Sequence, residues 1–192
     1  MNKIFLTAVT FVSIFGIINC QVPAPGKCPT GITVVSELDV EKYLGTWYEH
    51  SKYPAIFEVG GKCMQAVYGK FENGTVSVVN SQINILTGAK SSIEGHAALT
   101  EEPGKLIVNF PSVGKIGVKS NYWVLSTDYT TYSVVYSCSN LLNEKMHGTI
   151  VWILTRERTP SQEVIDKAYK VLDDNQISKL LLLKTQQDNC DA

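Results

Sequence analysis

Gly45-Thr46-Trp47-Tyr48-Glu49 is the stretch on which the reading of this chain turns. A Gly suits a tight turn from a leading segment into a strand, and a Trp two residues later is large enough to plug the closed end of a barrel from inside. Alone, Gly-x-Trp is a weak signal that ordinary core packing also produces. Two further stretches strengthen it. Thr127-Asp128-Tyr129 precedes an apolar run over 132–138, and Arg156 closes the run Ile150-Val151-Trp152-Ile153-Leu154-Thr155.

Working outward, the chain between Tyr43 and Arg156 reads as short strands separated by turn residues. Asn73-Gly74, between runs 66–71 and 75–79, reads as a two-residue hairpin. Weaker turns at Thr87-Gly88, Pro103-Gly104, Val113-Gly114-Lys115 and Asp128-Tyr129-Thr130 separate strands near 91–100, 105–111, 120–126 and 132–139, with the eighth strand over 147–156. After Pro160 the period changes. Ser161 stands where a cap is needed, and Val164, Ile165, Ala168, Val171 and Leu172 recur at helical spacing to about Asp174. Residues 177–183 read as a last apolar strand. The expected fold class is all-β, an eight-stranded antiparallel up-and-down barrel with one C-terminal helix and a short tail strand.

Lys3 is followed by an uncharged apolar run over 4–18, the pattern of a secretory signal over 1–20, cleaved after Cys20 to leave Gln21 first. A lipoprotein signal needs a small residue before the Cys, where Asn19 stands. Residues 184–192 are polar, against a glycolipid anchor. Residues 21–192 are therefore expected as one secreted, extracellular domain. No later run reaches the ~18 apolar residues of a transmembrane segment. With 17 basic and 18 acidic residues the net charge is -1, which offers no footprint for nucleic acid.

Without Cys20 the remaining cysteines are Cys28, Cys63, Cys138 and Cys190, an even set in an oxidising compartment. Two disulfides are expected, with three connectivities open. Wide spacing and the absence of Cys-x-x-Cys argue against zinc, and no metal is expected. His50, His96 and His147 lack metal-ligand spacing, and no nucleophile-elbow, zincin or phosphate-loop motif occurs, so no catalytic residue is named. Asn73-Gly74-Thr75 fits an N-glycosylation acceptor. The loop over 54–61, which carries Phe57, is apolar enough to cover a ligand, touch a lipid surface or meet a second copy of the chain.

Together the three stretches around Trp47, Asp128 and Arg156 resemble the signatures of the lipocalin family, in its branch of apolipoprotein D and the insecticyanin-like bilin-binding proteins. The resemblance spans nearly all of 21–192. It implies bridges Cys28–Cys138 and Cys63–Cys190, and a floor in which Arg156 lies against Trp47, with Gly45, Thr127, Asp128 and Tyr129 structural. It also aligns the inner wall as Met64, Ala66 and Tyr68; Val76, Val78 and Asn80; Ile93, Gly95 and Ala97; Leu106, Val108 and Phe110; Tyr122 and Val124; Val135 and Ser137. On the last strand, Trp152, Ile150 and Gly148 share the parity of Arg156, which leaves Val151 and Ile153 outside against the helix. Asn80 matches a ligand-contacting Asn of that branch. His147, near the open end, is a candidate for a ligand propionate or for solvent. The resemblance implies a non-enzymatic carrier or store of a small hydrophobic ligand. That ligand would be a bilin such as biliverdin, or a lipid, fatty acid or sterol, with no cofactor required. The alternative is a lipid-particle or antioxidant partner acting through the open-end loops; a haem-binding or isomerase role ranks below both.

Overall fold

The computed structural model describes residues 22–55, 58–71, 75–111 and 117–190, and in it one helical turn leads into the barrel. Asp39 caps that turn by accepting from the Lys42 N–H at 3.2 Å. The turn, α1 (Val40–Tyr43), ends where Gly45 bends the chain at φ 92° into β2 (Gly45–Lys52). Only a residue without a Cβ takes that φ cheaply, and a Cβ here would lie 3.3 Å from Arg156 Nη1.

The wall continues as β3 (Gly61–Lys70), β4 (Val76–Asn84), β5 (Lys90–Leu99), β6 (Lys105–Phe110), β7 (Val118–Thr127), β8 (Tyr132–Leu141) and β9 (Met146–Thr155). Each strand pairs antiparallel with the next, and β9 returns to β2 through Tyr48↔Thr155 and Lys52↔Trp152. The eight expected strands thus close on themselves, which removes free edges. Where β2 and β9 part from their wall neighbours at the open end, two short terminal strands complete them. β1 (Val22–Pro25) covers Met146 to Thr149 of β9, and β10 (Leu183–Lys184) covers Ser51 and Lys52 of β2.

Helix α2 (Gln162–Asp174) lays Ile165, Ala168 and Leu172 on the outer faces of β7 and β8. There they join Val134, Tyr136, Val151 and Ile153 in a core outside the barrel. A second core, built from Trp47, Ala66, Val78, Val108, Val124, Val135 and Leu154, fills the inside. Both disulfides implied by the resemblance are present. Cys28–Cys138 (Cα–Cα 6.0 Å) ties the leading segment to β8, and Cys63–Cys190 (5.6 Å) ties the tail to β3.

Three local expectations are corrected. Phe71 N–H donates to the Thr75 carbonyl at 2.8 Å and Lys70 faces Val76, so residues 72–74, three and not two, join β3 to β4. Those residues, Asn73 among them, lie outside the described ones. Residues 177–183 are not a strand: Ile177 packs under α2, and Lys179–Leu181 is a 3₁₀ turn opened by the Ser178 hydroxyl, leaving only Leu183–Lys184 extended. Ser161 holds the N-cap position, but its backbone carbonyl, not its hydroxyl, accepts from Val164 and Ile165.

Gly45→Ala should lower stability by about 1–3 kcal/mol, because it places a side chain at positive φ against the Arg156 guanidinium. Chemical denaturation of the two proteins measures it, and an unchanged midpoint would show that the turn relaxes freely.

Candidate functional site

At the closed end, the Arg156 guanidinium lies 3.8 Å from the Trp47 ring centroid. It donates to the carbonyls of Thr46 (2.8 Å), Leu44 (2.9 Å), Lys42 (3.0 Å) and Tyr129 (3.0 Å), while the Trp47 indole N–H donates to Tyr43 O at 2.8 Å. Asp128 accepts from the backbone N–H groups of Thr130, Thr131 and Tyr132, and Thr127 Oγ1 accepts from Tyr129 N–H. Partial burial pushes the Asp128 carboxyl up, but the Thr131 hydroxyl and these N–H groups outweigh it and hold it below the usual range. The side chains of Arg156, Trp47, Thr127 and Asp128 are thus used in closing the floor.

Above the floor stands a layer of tyrosines. Tyr68 OH donates to Tyr122 OH (2.8 Å), which meets Tyr43 OH (2.9 Å), which meets Ser133 Oγ (2.8 Å). Burial pushes the Tyr43 phenol up to about 12 and raises those of Tyr68 and Tyr122 as well, so all three stay neutral. The gap they share with Leu38, Val40, Leu44, Val76, Ala97, Leu106 and Val108 is about 10 Å³, room for one water molecule. Tyr68 and Tyr122 do face inward, as aligned, yet their hydroxyls hold one another. That gap is too small for a ligand, so these three hydroxyls serve the packing of the lower barrel.

Register places the remaining aligned residues on that upper inner face. Ala66 faces Asn80, which faces Ile93; Trp152 faces Val135; Ser137 faces Ile150; Phe110 continues from Val108. The Phe110 ring fills the space a Cβ of Gly95 would occupy, and Ser120 Oγ lies 3.2 Å from Ser137 Oγ. Val124 is fully buried and belongs to the deep core. The side-chain oxygen of Asn80 is buried without a hydrogen-bond partner, and so is that of Gln82, two residues nearer the mouth.

Beside Trp152 lies an ionic cluster that the sequence reading did not name. Lys52 Nζ is 3.0 Å from Glu49 Oε1, 2.5 Å from Glu58 Oε2 and 2.8 Å from Met64 Sδ. Thr185 Oγ1 donates to Glu49 at 2.5 Å, and the Trp152 indole N–H donates to Glu58. Glu49 faces Leu154 and Lys52 faces Trp152, so both point inward across the register shift between Glu49 and Ser51. Glu49 could have been found, since it shares the parity of Trp47. Lys52 could not, because the bulge reverses the parity beyond it. Burial, and then the charge of Glu49, push the Glu58 carboxyl up to about 7 against the opposing pull of Lys52. Burial raises Glu49 as well.

His147 does not face ligand or solvent. It is covered by β1, opposite Ala24, with Nδ1 3.0 Å from the Gly26 carbonyl. Phe57 lies outside the described residues. Among the described residues no cluster of His, Cys, Asp and Glu could hold a metal ion, and no helix is long and apolar enough to cross a membrane.

The raised Glu58 sets a pH dependence. Between its ordinary 4.5 and about 7 the folded protein keeps a proton that the unfolded chain releases, so stability falls as pH rises through that window. The groups facing it are Glu49 and Lys52 on β2 and Trp152 on β9, of which the first two are charged, while Met64 and Thr185 join the cluster through Lys52 and Glu49. Between pH 5 and 8 the wild type should lose on the order of 2–3 kcal/mol more than Glu58→Gln does. Burial lowers His50, which acts in the opposite sense below 6.5, but it is common to both proteins and cancels. Urea midpoints across that pH range provide the measurement, and parallel curves would refute the assignment.

The fold and this interior can be set beside known proteins. The chain is 40% identical over 167 residues to apolipoprotein D of Cavia porcellus, covering 86% of this chain and 85% of that one. It is 32% identical over 186 residues to the Lazarillo protein of Schistocerca americana, covering 95% and 85%. The solved structure of insecticyanin from the tobacco hornworm Manduca sexta superposes with a TM-score of 0.78 at 27% identity, covering 88% of this chain and 90% of that one. A family profile described as Lipocalin-like domain matches residues 38–187, the span that runs from α1 past the tail strand, and on that match this chain belongs to the lipocalin family of small hydrophobic ligand binders.

Proposed function

We propose that this protein is a secreted carrier or store for a small hydrophobic ligand, held in the upper half of the barrel, with a bilin such as biliverdin the favoured occupant. The supporting observation is Trp152. It stands half-buried on the inner face while its strand neighbours Val151 and Ile153 are fully buried in the outer core. A large indole left partly uncovered on the inner face that also carries the unpartnered side-chain oxygen of Asn80 is a wall waiting for a partner. Preference for a bilin rests on the likeness to the bilin-binding branch and on that amide, whose oxygen suits a lactam or pyrrole N–H. Asn80, Ile93, Phe110, Ser137, Met64 and Trp152 are the proposed contacts, with Val108, Tyr68 and Tyr122 beneath them.

The reading is of a non-enzymatic binding protein. The four described cysteines are all bridged, which leaves an isomerase no thiol among them, and the tyrosine hydroxyls are bonded to each other. Secretion rests on the apolar leader, and glycosylation on the Asn73-Gly74-Thr75 motif. A second reading, contact with a lipid surface or a second copy, is favoured by Val59, Ile85 and Leu86 at the mouth. All three are exposed, Leu86 at 92%, and their loops are joined by Ile85 N–H donating to the Gly60 carbonyl.

Titration with biliverdin should quench tryptophan emission, and Trp152→Ala should weaken binding at least about tenfold with the fold intact. If that substitution instead costs about 3–5 kcal/mol of stability, Trp152 is ordinary core. Asn80→Leu should weaken biliverdin by up to about a hundredfold and leave a simple fatty acid almost unaffected. Unchanged affinity for both ligands would place Asn80 outside the pocket.

A further inference from the structure

The polar groups at the mouth of the barrel are unevenly matched. Glu49 and Lys52, with side chains 5% and 10% exposed, already form a neutral pair, and a Lys pointed into a barrel needs no more than that. Glu58 adds a second carboxyl group from the loop between β2 and β3, so once it is ionised, above about pH 7, the cluster carries more negative charge than positive. The Lys52–Glu58 contact pairs charge without hydrogen-bond alignment, since Glu58 Oε2 is buried and accepts no hydrogen bond. Gln82 Oε1 is adjacent: a Cβ on Gly61 would touch both it and Met64 Cε, and Met64 Sδ in turn meets Lys52 Nζ. Asn80 Oδ1 follows on the same face of β4. The buried side-chain atoms left without a hydrogen bond among the described residues are these three, all of them oxygen acceptors.

Acceptors without donors and surplus negative charge call for the same complement. We propose that the mouth of the barrel receives the hydrogen-bond-donor end of a hydrophobic ligand, with a protonated amine the best fit: its N–H groups go to Glu58 Oε2 and the Gln82 and Asn80 oxygens, and its hydrocarbon lies along Trp152, Ile93 and Phe110. An ammonium supplies the positive charge the cluster lacks. A neutral N–H or O–H satisfies the amide oxygens but leaves the charge surplus. A carboxylate does neither, and adds to the repulsion already acting on Glu58. The assignment rests on the carrier reading above and narrows it to a class of ligand. It also states which way a bilin would lie, with its ring N–H edge toward β4 and its acid groups turned to solvent.

Dodecylamine, dodecanol and dodecanoic acid differ only at the polar end, so their affinities at pH 7.4, read from tryptophan quenching, test the assignment. The amine should bind tighter than the alcohol and the alcohol tighter than the acid, each step about tenfold. Glu58→Gln should bring the amine down to the alcohol while leaving the alcohol unchanged. Gln82→Met, which keeps the length and removes the acceptor, should narrow the gap between alcohol and acid. An acid that binds as well as or better than the alcohol in the wild type overturns the donor assignment, with no variant needed. So does an amine advantage that survives Glu58→Gln. If none of the three binds the wild type, the carrier reading itself falls; if all three bind equally, carriage stands and only the donor assignment fails.

Discussion

The guanidinium of Arg156 over the ring of Trp47 is the contact on which the rest of the barrel is hung. An eight-stranded barrel must be stoppered at one end, or water reaches the interior from both sides. Trp47 supplies the apolar stopper, and Arg156 covers its face while drawing in the carbonyls of Lys42, Leu44, Thr46 and Tyr129. One side chain thereby joins the end of α1, the start of β2 and the loop between β7 and β8. This crowding adds to the turn's demand for Gly at position 45, because a Cβ would lie 3.3 Å from Nη1 and the guanidinium would have to give by a few tenths of an ångström.

From that floor the interior is layered by polarity. The tyrosine layer is neutral and self-satisfied, and three phenols bonded in series to Ser133 fill the lower barrel without needing charge or water. The layer above has amide oxygens without donors and carboxylates in excess of ammonium. A buried polar atom without a partner costs more than a satisfied one yields, so a folded protein retains such a layer at a cost to its own stability. Satisfied polarity at the bottom marks that end of the barrel as packing, and unmet polarity at the top is what the proposed ligand would answer.

The outer structure serves the same division. Helix α2 packs on the outward faces of β7 and β8, and Val151 and Ile153 of β9 join the same outer core, so the strands that bear Trp152 and Ser137 on one side are backed by packed side chains on the other. The termini complete β2 and β9 where these strands leave the wall, and each terminus is locked by a disulfide close by. Thr185 and Gln187 of the locked tail then reach back to Glu49, so the tail disulfide lies within a few residues of the ionic cluster it steadies.

The sequence by itself determined the succession of strands and the helix, because these rest on local spacing; the closing motif and the face of each strand that turns inward were legible through likeness to relatives, after which the period carries the parity along each strand. A strand alternates and a helix recurs whatever surrounds it, so Val78, Val108, Val135 and Trp152 face inward as their period demands. The cysteine pairing was legible only through likeness to relatives, since even spacing leaves three choices open. Tertiary structure alone decided that the Tyr68 and Tyr122 hydroxyls hold one another, that His147 is covered by β1, and that 177–183 turns instead of extending. It alone brought Lys52 inside. The register shift after Glu49 inserts one residue, and a period of two inverts with one residue; no pattern in the strand announces the slip, because the bulge is stabilised by neighbours that are distant in the chain. Glu58 reaches the same cluster from a loop, where no period exists to read.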